Sequence, residues 1–255
     1  MVSLLEAALI LLAGMAAGTI NTIVGSGTLV TFPTLLAFGY PPVAANMSNT
    51  VGLVAGGVTG TWGYRKELKG SGDLLRRLAP MSLLGAVSGA LLLLWLPPEA
   101  FDAIVPALIG VGVLLVIVGP WLQRRAAAAH TDHDSPVRRA VLLLGIYLAG
   151  VYGGYFGAAQ GVLLMGLMSV LLPNPLQQVN GIKNVLGTIV NGVAAVTFMI
   201  VAWGDIDWPV AGLIALGALA GGVIGAKVGR RLPAWGLRAF IVVIGVVAIV
   251  NLLRG

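Results

Sequence analysis

Residues 18–60 read GTINTIVGSGTLVTFPTLLAFGYPPVAANMSNTVGLVAGGVTG. The stretch lies inside an apolar segment, yet it carries three asparagines, two serines, several threonines, many glycines and the pair Pro41-Pro42. Lipid offers no partner to a backbone or amide group, so such a segment persists only where protein covers it or where it lines a cavity. Of the 255 residues, 58% are hydrophobic and 9% charged, and the mean hydropathy is +0.98. A soluble domain has about 25% charged residues. The bilayer is therefore the solvent, and the chain reads as an all-α integral membrane protein.

The first helix runs directly from residue 4 into the polar stretch and lacks a basic leader, so it reads as retained. With no cysteine, the chain has no disulfide, haem thiolate or iron–sulfur ligand set. The net charge of +6 resides in short loops rather than on one basic face, so it implies no nucleic-acid partner.

Apolar runs fall at 4–24, 27–40, 43–63, 79–96, 102–122, 140–158, 161–172, 176–203, 209–228 and 236–253. Two of them, 27–40 and 161–172, are short against the roughly 20 helical residues that cross a bilayer. They occupy corresponding places in two halves. Gly18 and Gly25 match Gly150 and Gly157, and Pro41 matches Pro173. Asn49, Gly52 and Gly57 match Asn184, Gly187 and Gly192, while Gly85 and Gly89 match Gly221 and Gly225. The expected organisation is a first repeat over 1–122, a linker over 123–139 and a second repeat over 140–255.

Arg65, Lys66, Lys69, Arg76 and Arg77 assign the 64–78 loop to the cytoplasm. Arg124, Arg125, Arg138 and Arg139 do the same for 123–139, and Arg230, Arg231 and Arg238 for 229–238. The loops with Glu99 and Asp102, and with Asp205 and Asp207, carry no Lys or Arg and are expected outside, as are both termini. The two halves then enter the membrane from opposite sides. Inverted-topology repeats of about five segments each, with broken helices at the midplane, are a secondary-transporter architecture. Parity requires 4–63 and 140–203 each to cross an odd number of times. Three crossings with one part-length or interrupted piece satisfy it, so ten segments are expected, with 27–40 and 161–172 as the short pieces; the interruption could instead be a re-entrant pair.

Among the cations, Lys183 is set apart. It lies in PLQQVNGIKNVLGTIVNG, eight residues into a helix, about 12 Å below the surface at ~1.5 Å per residue. A buried ammonium suggests an anionic substrate, against the plainer reading of a lysine snorkelling to the interface. Asn46, Ser48, Asn49 and Thr50 form one amide and hydroxyl set. Asn180, Asn184 and Asn191 form another on one helix face beside Lys183. Such donors suit an oxyanion such as a sulfonate or carboxylate, or else they join helices. Asn21, Gly25, Ser26, Gly27 and Thr28, matched by Tyr152, Gly157, Ala158, Ala159 and Gln160, read as helix breaks. The half-helices that follow would aim free N–H groups and positive dipole ends at an anion.

Gly217, Gly221, Gly225 and Gly229 form a ladder that reads as close helix packing, and glycine-rich faces permit a homodimer. His130, Asp132, His133 and Asp134 resemble a metal cluster only superficially, in a polar linker. No cofactor is called for, and no nucleophile–base–metal set points to an enzyme.

The first-half run from Gly18 to Val51, GTINTIVGSGTLVTFPTLLAFGYPPVAANMSNTV, resembles the TauE/SafE family of sulfite and organosulfonate exporters. The second-half run GVYGGYFGAAQGVLLMGLMSVLLPNPLQQVNGIKNVLGTIVNGVAAVTF, residues 150–198, is similar to that family's second repeat. The likeness departs at Ala158-Ala159-Gln160, where relatives often carry a Gly-Ala-Gly-like sequence, and at Thr50, where they often carry Arg. The resemblance implies a multi-pass carrier in a bacterial or archaeal cytoplasmic membrane. It would move small sulfur-containing anions such as sulfite or sulfoacetate, often outward. An anion channel, or a membrane subunit delivering a sulfur compound to an enzyme, are the alternatives.

Overall fold

A computed structural model describes residues 3–128, 135–229 and 234–254. Every apolar run becomes a helix. The first half holds α1 (Leu4–Ile23), α2 (Thr28–Ala37), α3 (Pro42–Gly63), α4 (Gly72–Trp95) and α5 (Pro98–Ala128). The second holds α6 (Pro136–Tyr155), α7 (Gln160–Leu171), α8 (Leu176–Val201), α9 (Trp208–Val228) and α10 (Ala234–Arg254). Their starts follow local rules. Ser3 and Glu6 form a capping box on α1, and Asp207 caps α9 by accepting from the Val210 amide. Pro42 and Pro136 occupy the first turns of α3 and α6, where a missing N–H costs nothing. Among the described residues six helices are long and apolar enough to cross a membrane: α1, α4, α5, α6, α8 and α9. The chain is a multi-pass membrane protein.

Gly25 and Gly157 interrupt the two polar stretches, each with a left-handed φ, +87° and +79°. Each break turns a long helix back into a short one. The two short segments expected from the sequence are α2, of 10 residues, and α7, of 12. The hydroxyl of Tyr40, just past α2, donates to Glu6 Oε1 in the first turn of α1 at 2.7 Å. At the second hairpin, Arg138 Nε in the first turn of α6 donates to the Leu171 carbonyl at the end of α7 at 3.2 Å. Both hairpins therefore return to the side they left. Where three crossings with one part-length piece were expected, each short helix instead doubles back along the long one before it, as in a re-entrant pair.

The hairpins open in opposite directions. The first opens where α3 begins and where Ser48 Oγ accepts from the Asp207 amide at 2.9 Å. The second opens at the far end of α3, where Gln178 Nε2 donates to Ser71 Oγ at 2.8 Å. The repeats are inverted, and they interlock. α1 and α3 pack on α9, while their counterparts α6 and α8 pack on α4. α2 packs on α10 and α7 on α5. The glycine ladder lies in one of these seams. A Cβ on Gly217 or Gly221 would overlap the carbonyls of Leu11 or Met15 in α1. A Cβ on Gly85 or Gly89 would overlap those of Tyr147 or Val151 in α6. Backbone contact this close gives the dispersion and weak C–H···O attraction that hold helices together in lipid. Phe32, Phe101 and Phe156 stack edge to face in the core, Phe32 and Phe156 at 5.1 Å, and join both hairpins to α5.

Candidate functional site

The two hairpin tips meet in the protein interior. The Gly161 amide in the first turn of α7 donates to the Gly25 carbonyl at 2.9 Å. A Cβ on either glycine would overlap the backbone of the other. Beside this contact lies a cavity of about 30 Å³, room for about two waters. Of the residues nominated from the sequence, Asn21, Gly25, Thr28, Gly157, Gln160, Lys183, Asn184 and Asn191 line it. No Asp or Glu does.

Lys183 is 2% exposed. Its ammonium donates to the Asn21 carbonyl at 2.8 Å and to the Thr22 carbonyl at 3.2 Å. Asn184 and Asn180 also donate to the Thr22 carbonyl, at 3.3 and 3.4 Å. α1 ends there, so its last carbonyls have no intrahelical donor and carry the negative end of the helix dipole. α8 supplies the missing donors across the repeat boundary. The helix end carries only about half a unit charge, so it offsets the ammonium in part. Two of three N–H groups are engaged, leaving one for a ligand.

Gln160, at the start of α7, has its side chain pressed against Gly153, where a Cβ would overlap the amide. The residue lines the cavity, and its Nε2 is buried with no hydrogen-bond partner among the described residues. A buried donor without an acceptor costs about 1–3 kcal/mol, which an oxyanion in the cavity would relieve. Thr28 begins α2 and brings that helix's positive end to the same place.

The other nominated residues do not line the cavity. Asn49 is used inside the first hairpin, where its Nδ2 donates to Thr28 Oγ1 at 3.3 Å and its Oδ1 accepts from the Thr31 hydroxyl. Asn46 Nδ2 donates to the Tyr155 carbonyl at the end of α6 at 2.9 Å. Gly27 donates its amide to Asn21 Oδ1 at 3.5 Å, and Ser26 beside it is buried with its Oγ unpartnered. Thr50 is buried in α3, and the Tyr152 hydroxyl is buried without a partner in α6. Asn180 borders a second cavity of about 150 Å³, together with Tyr64 and Arg238. His130, Asp132, His133, Asp134, Arg230 and Arg231 lie outside the described residues.

Sequence reasoning missed Thr22, Gly56, Gly57, Gly187 and Thr188, all of which line the cavity. Thr22 contributes its carbonyl, which composition cannot reveal. Gly57 and Gly187 had a signal in the repeat alignment, where they match Gly192 and Gly52; Thr188 had none, and it fills the space that Gly57 leaves, since a Cβ there would lie 2.7 Å from Thr188 Oγ1.

Inverted repeats with re-entrant hairpins meeting around a buried polar cavity define a membrane transporter architecture. The chain matches the family described as "Sulfite exporter TauE/SafE" over residues 10–252, and it belongs to that family. It is 27% identical over 251 residues to "Probable membrane transporter protein ORF9" of Sinorhizobium sp, covering 96% of this chain and 92% of that protein. It is 27% identical over 224 residues to a "Probable membrane transporter protein" of Haemophilus influenzae, covering 86% and 84%. It is 26% identical over 244 residues to "Probable membrane transporter protein YfcA" of Escherichia coli strain K12, covering 91% and 82%. No solved structure matches it. The protein is a membrane transporter and not an enzyme.

Proposed function

We propose that this transporter exports small sulfur-containing anions, sulfite or organosulfonates such as sulfoacetate, across the bacterial cytoplasmic membrane by alternating access. The loops 64–78, 123–139 and 229–238 then face the cytoplasm. The observation that carries the reading is the buried Lys183 in a cavity that no carboxylate lines among the described residues. The spare Gln160 amide and the start of α2 add donors and a positive dipole end, suited to an oxyanion with several acceptor atoms. Substrate binding there involves Lys183, Gln160, Asn184, Asn191, Asn21 and Thr28, with Gly25 shaping the tip.

A cavity of about 30 Å³ is no open conduit, and it supports a carrier over a channel. The hairpin tips would separate to admit substrate and meet again around it. The test is flux into liposomes of purified protein with sulfite, sulfate, sulfoacetate, taurine and acetate. Saturable uptake of a sulfur anion, with counterflow of labelled substrate against a preloaded gradient, is the expected result. Flux without counterflow would make the protein a channel. Binding without any flux would make it a delivery subunit.

A further inference from the structure

At the basic end of the molecule the last turns of α3 and α9 leave a groove of about 450 Å³. Its floor is the helix crossing itself, where a Cβ on Gly63 would overlap the Ala226 methyl. Trp62, 68% exposed, and Val223, 38% exposed, give it an apolar wall. Arg65, Lys66 and Lys227 line it, and among the described residues no Asp or Glu does.

Three cations gathered at one groove repel unless something negative joins them. The C-terminal ends of α3 and α9 offset part of that charge, about half a unit each. No ion pair of Lys66 or Lys227 occurs among the described residues; the one recorded there, Arg76 with Asp73, lies elsewhere. Arg65 is held in place, its guanidinium 4.7 Å over the Trp62 ring and its Nη1 donating to the Trp62 carbonyl at 3.0 Å. An exposed tryptophan at a helix end marks the membrane–water interface. The groove is thus cationic on its water side and apolar on its lipid side, at the depth of phospholipid headgroups.

We infer that this groove is a binding site for one anionic phospholipid. Its phosphate sits among Lys66, Lys227 and Arg65, and its acyl chains lie over Trp62 and Val223. A free phosphate would use the cations but not the wall. Juxtamembrane lysines that act only in orienting the chain would need neither the groove nor the pinned arginine.

Delipidated full-chain protein in neutral detergent provides the test, with retained lipid counted by native mass spectrometry and the unfolding midpoint followed alongside. The proteins are wild type, Lys66→Gln/Lys227→Gln and, as control, the exposed pair Arg76→Gln/Arg77→Gln. Wild type and control should bind phosphatidylglycerol and gain stability from it, and neither should respond to phosphatidylcholine or inorganic phosphate. The lysine variant should bind phosphatidylglycerol more weakly by about fivefold for each lysine removed. Lys66→Arg/Lys227→Arg should restore binding, which separates lost recognition from a damaged fold. Equal binding by wild type and the glutamine variant would overturn the site. So would an equal loss in the control, no rescue by arginine, or stabilisation by phosphate alone.

Discussion

Asn46 and Asn180 perform one task from opposite repeats: each donates its side-chain amide to the last carbonyls of the other repeat's first helix, Asn46 to Tyr155 and Asn180 to Thr22. The carbonyl oxygens of both side chains are buried and have no partner among the described residues. Around this pair the symmetry fails. Thr22 also accepts from Lys183 and Asn184, whereas Asn46 is the side chain recorded on Tyr155.

Removing the two asparagines should therefore have unequal effects. Asn46→Ala leaves the Tyr155 carbonyl without that donor and should cost about 1–3 kcal/mol. Asn180→Ala should cost less, because two donors to Thr22 remain. Unfolding midpoints of both variants in one detergent decide it, and equal losses would mean that the caps are equivalent.

The charge and the hydrogen bonds of Lys183 are separable. Lys183→Gln keeps an amide donor near the α1 carbonyls and discards the cation. Initial flux of a sulfur anion should fall tenfold or more, equivalent to about 1.4 kcal/mol of lost interaction, with the fold retained. Lys183→Ala should lose flux and also stability, because buried carbonyls lose their donor. Unchanged flux in the glutamine variant, at matched protein in the liposomes, would remove Lys183 from substrate binding and leave it a helix cap.

Gly187 lines the cavity, and a Cβ there meets nothing within 4 Å. Gly187→Ala should therefore take up part of the space meant for substrate with one methyl while leaving the helix intact or firmer by up to about 1 kcal/mol. Loss of flux with an unchanged or raised midpoint is the expected outcome. Normal transport in this variant would place the substrate path elsewhere.

Gly25 and Gly39 both have a left-handed φ, +87° and +83°, but only Gly25 is enclosed. Gly39→Ala carries backbone strain alone, about 1–2 kcal/mol. Gly25→Ala adds an overlap with Gly161 and should prevent the tips from meeting. Size-exclusion profiles and midpoints of the two variants should differ sharply, with the Gly25 variant poorly folded or inactive.

The sequence carried the helices and their inversion because apolar length, loop charge and paired glycines are all written in side chains. Lys183 stood out for the same reason, since an ammonium amid an apolar run has few meanings. What it touches was less legible. Asn46 and Asn180 looked like substrate ligands, yet they cap helix ends in the opposite repeat, and Asn49 serves the interior of its own hairpin. The acceptor that gathers Lys183, Asn180 and Asn184 is a backbone carbonyl, at Thr22, that any residue would have supplied. Such groups acquire meaning only when a helix ends, and where α1 would end relative to α8 depends on how the repeats interlock.

The packing of α1 and α3 on α9, and of α6 and α8 on α4, bears on how such a protein is made and how it could have arisen. The first five helices leave the ribosome without the surfaces they are shaped to meet. They must wait in the membrane, glycine seams uncovered, until α9 is inserted. A chain consisting of one half alone could complete the same seams only by meeting a second copy inserted upside down.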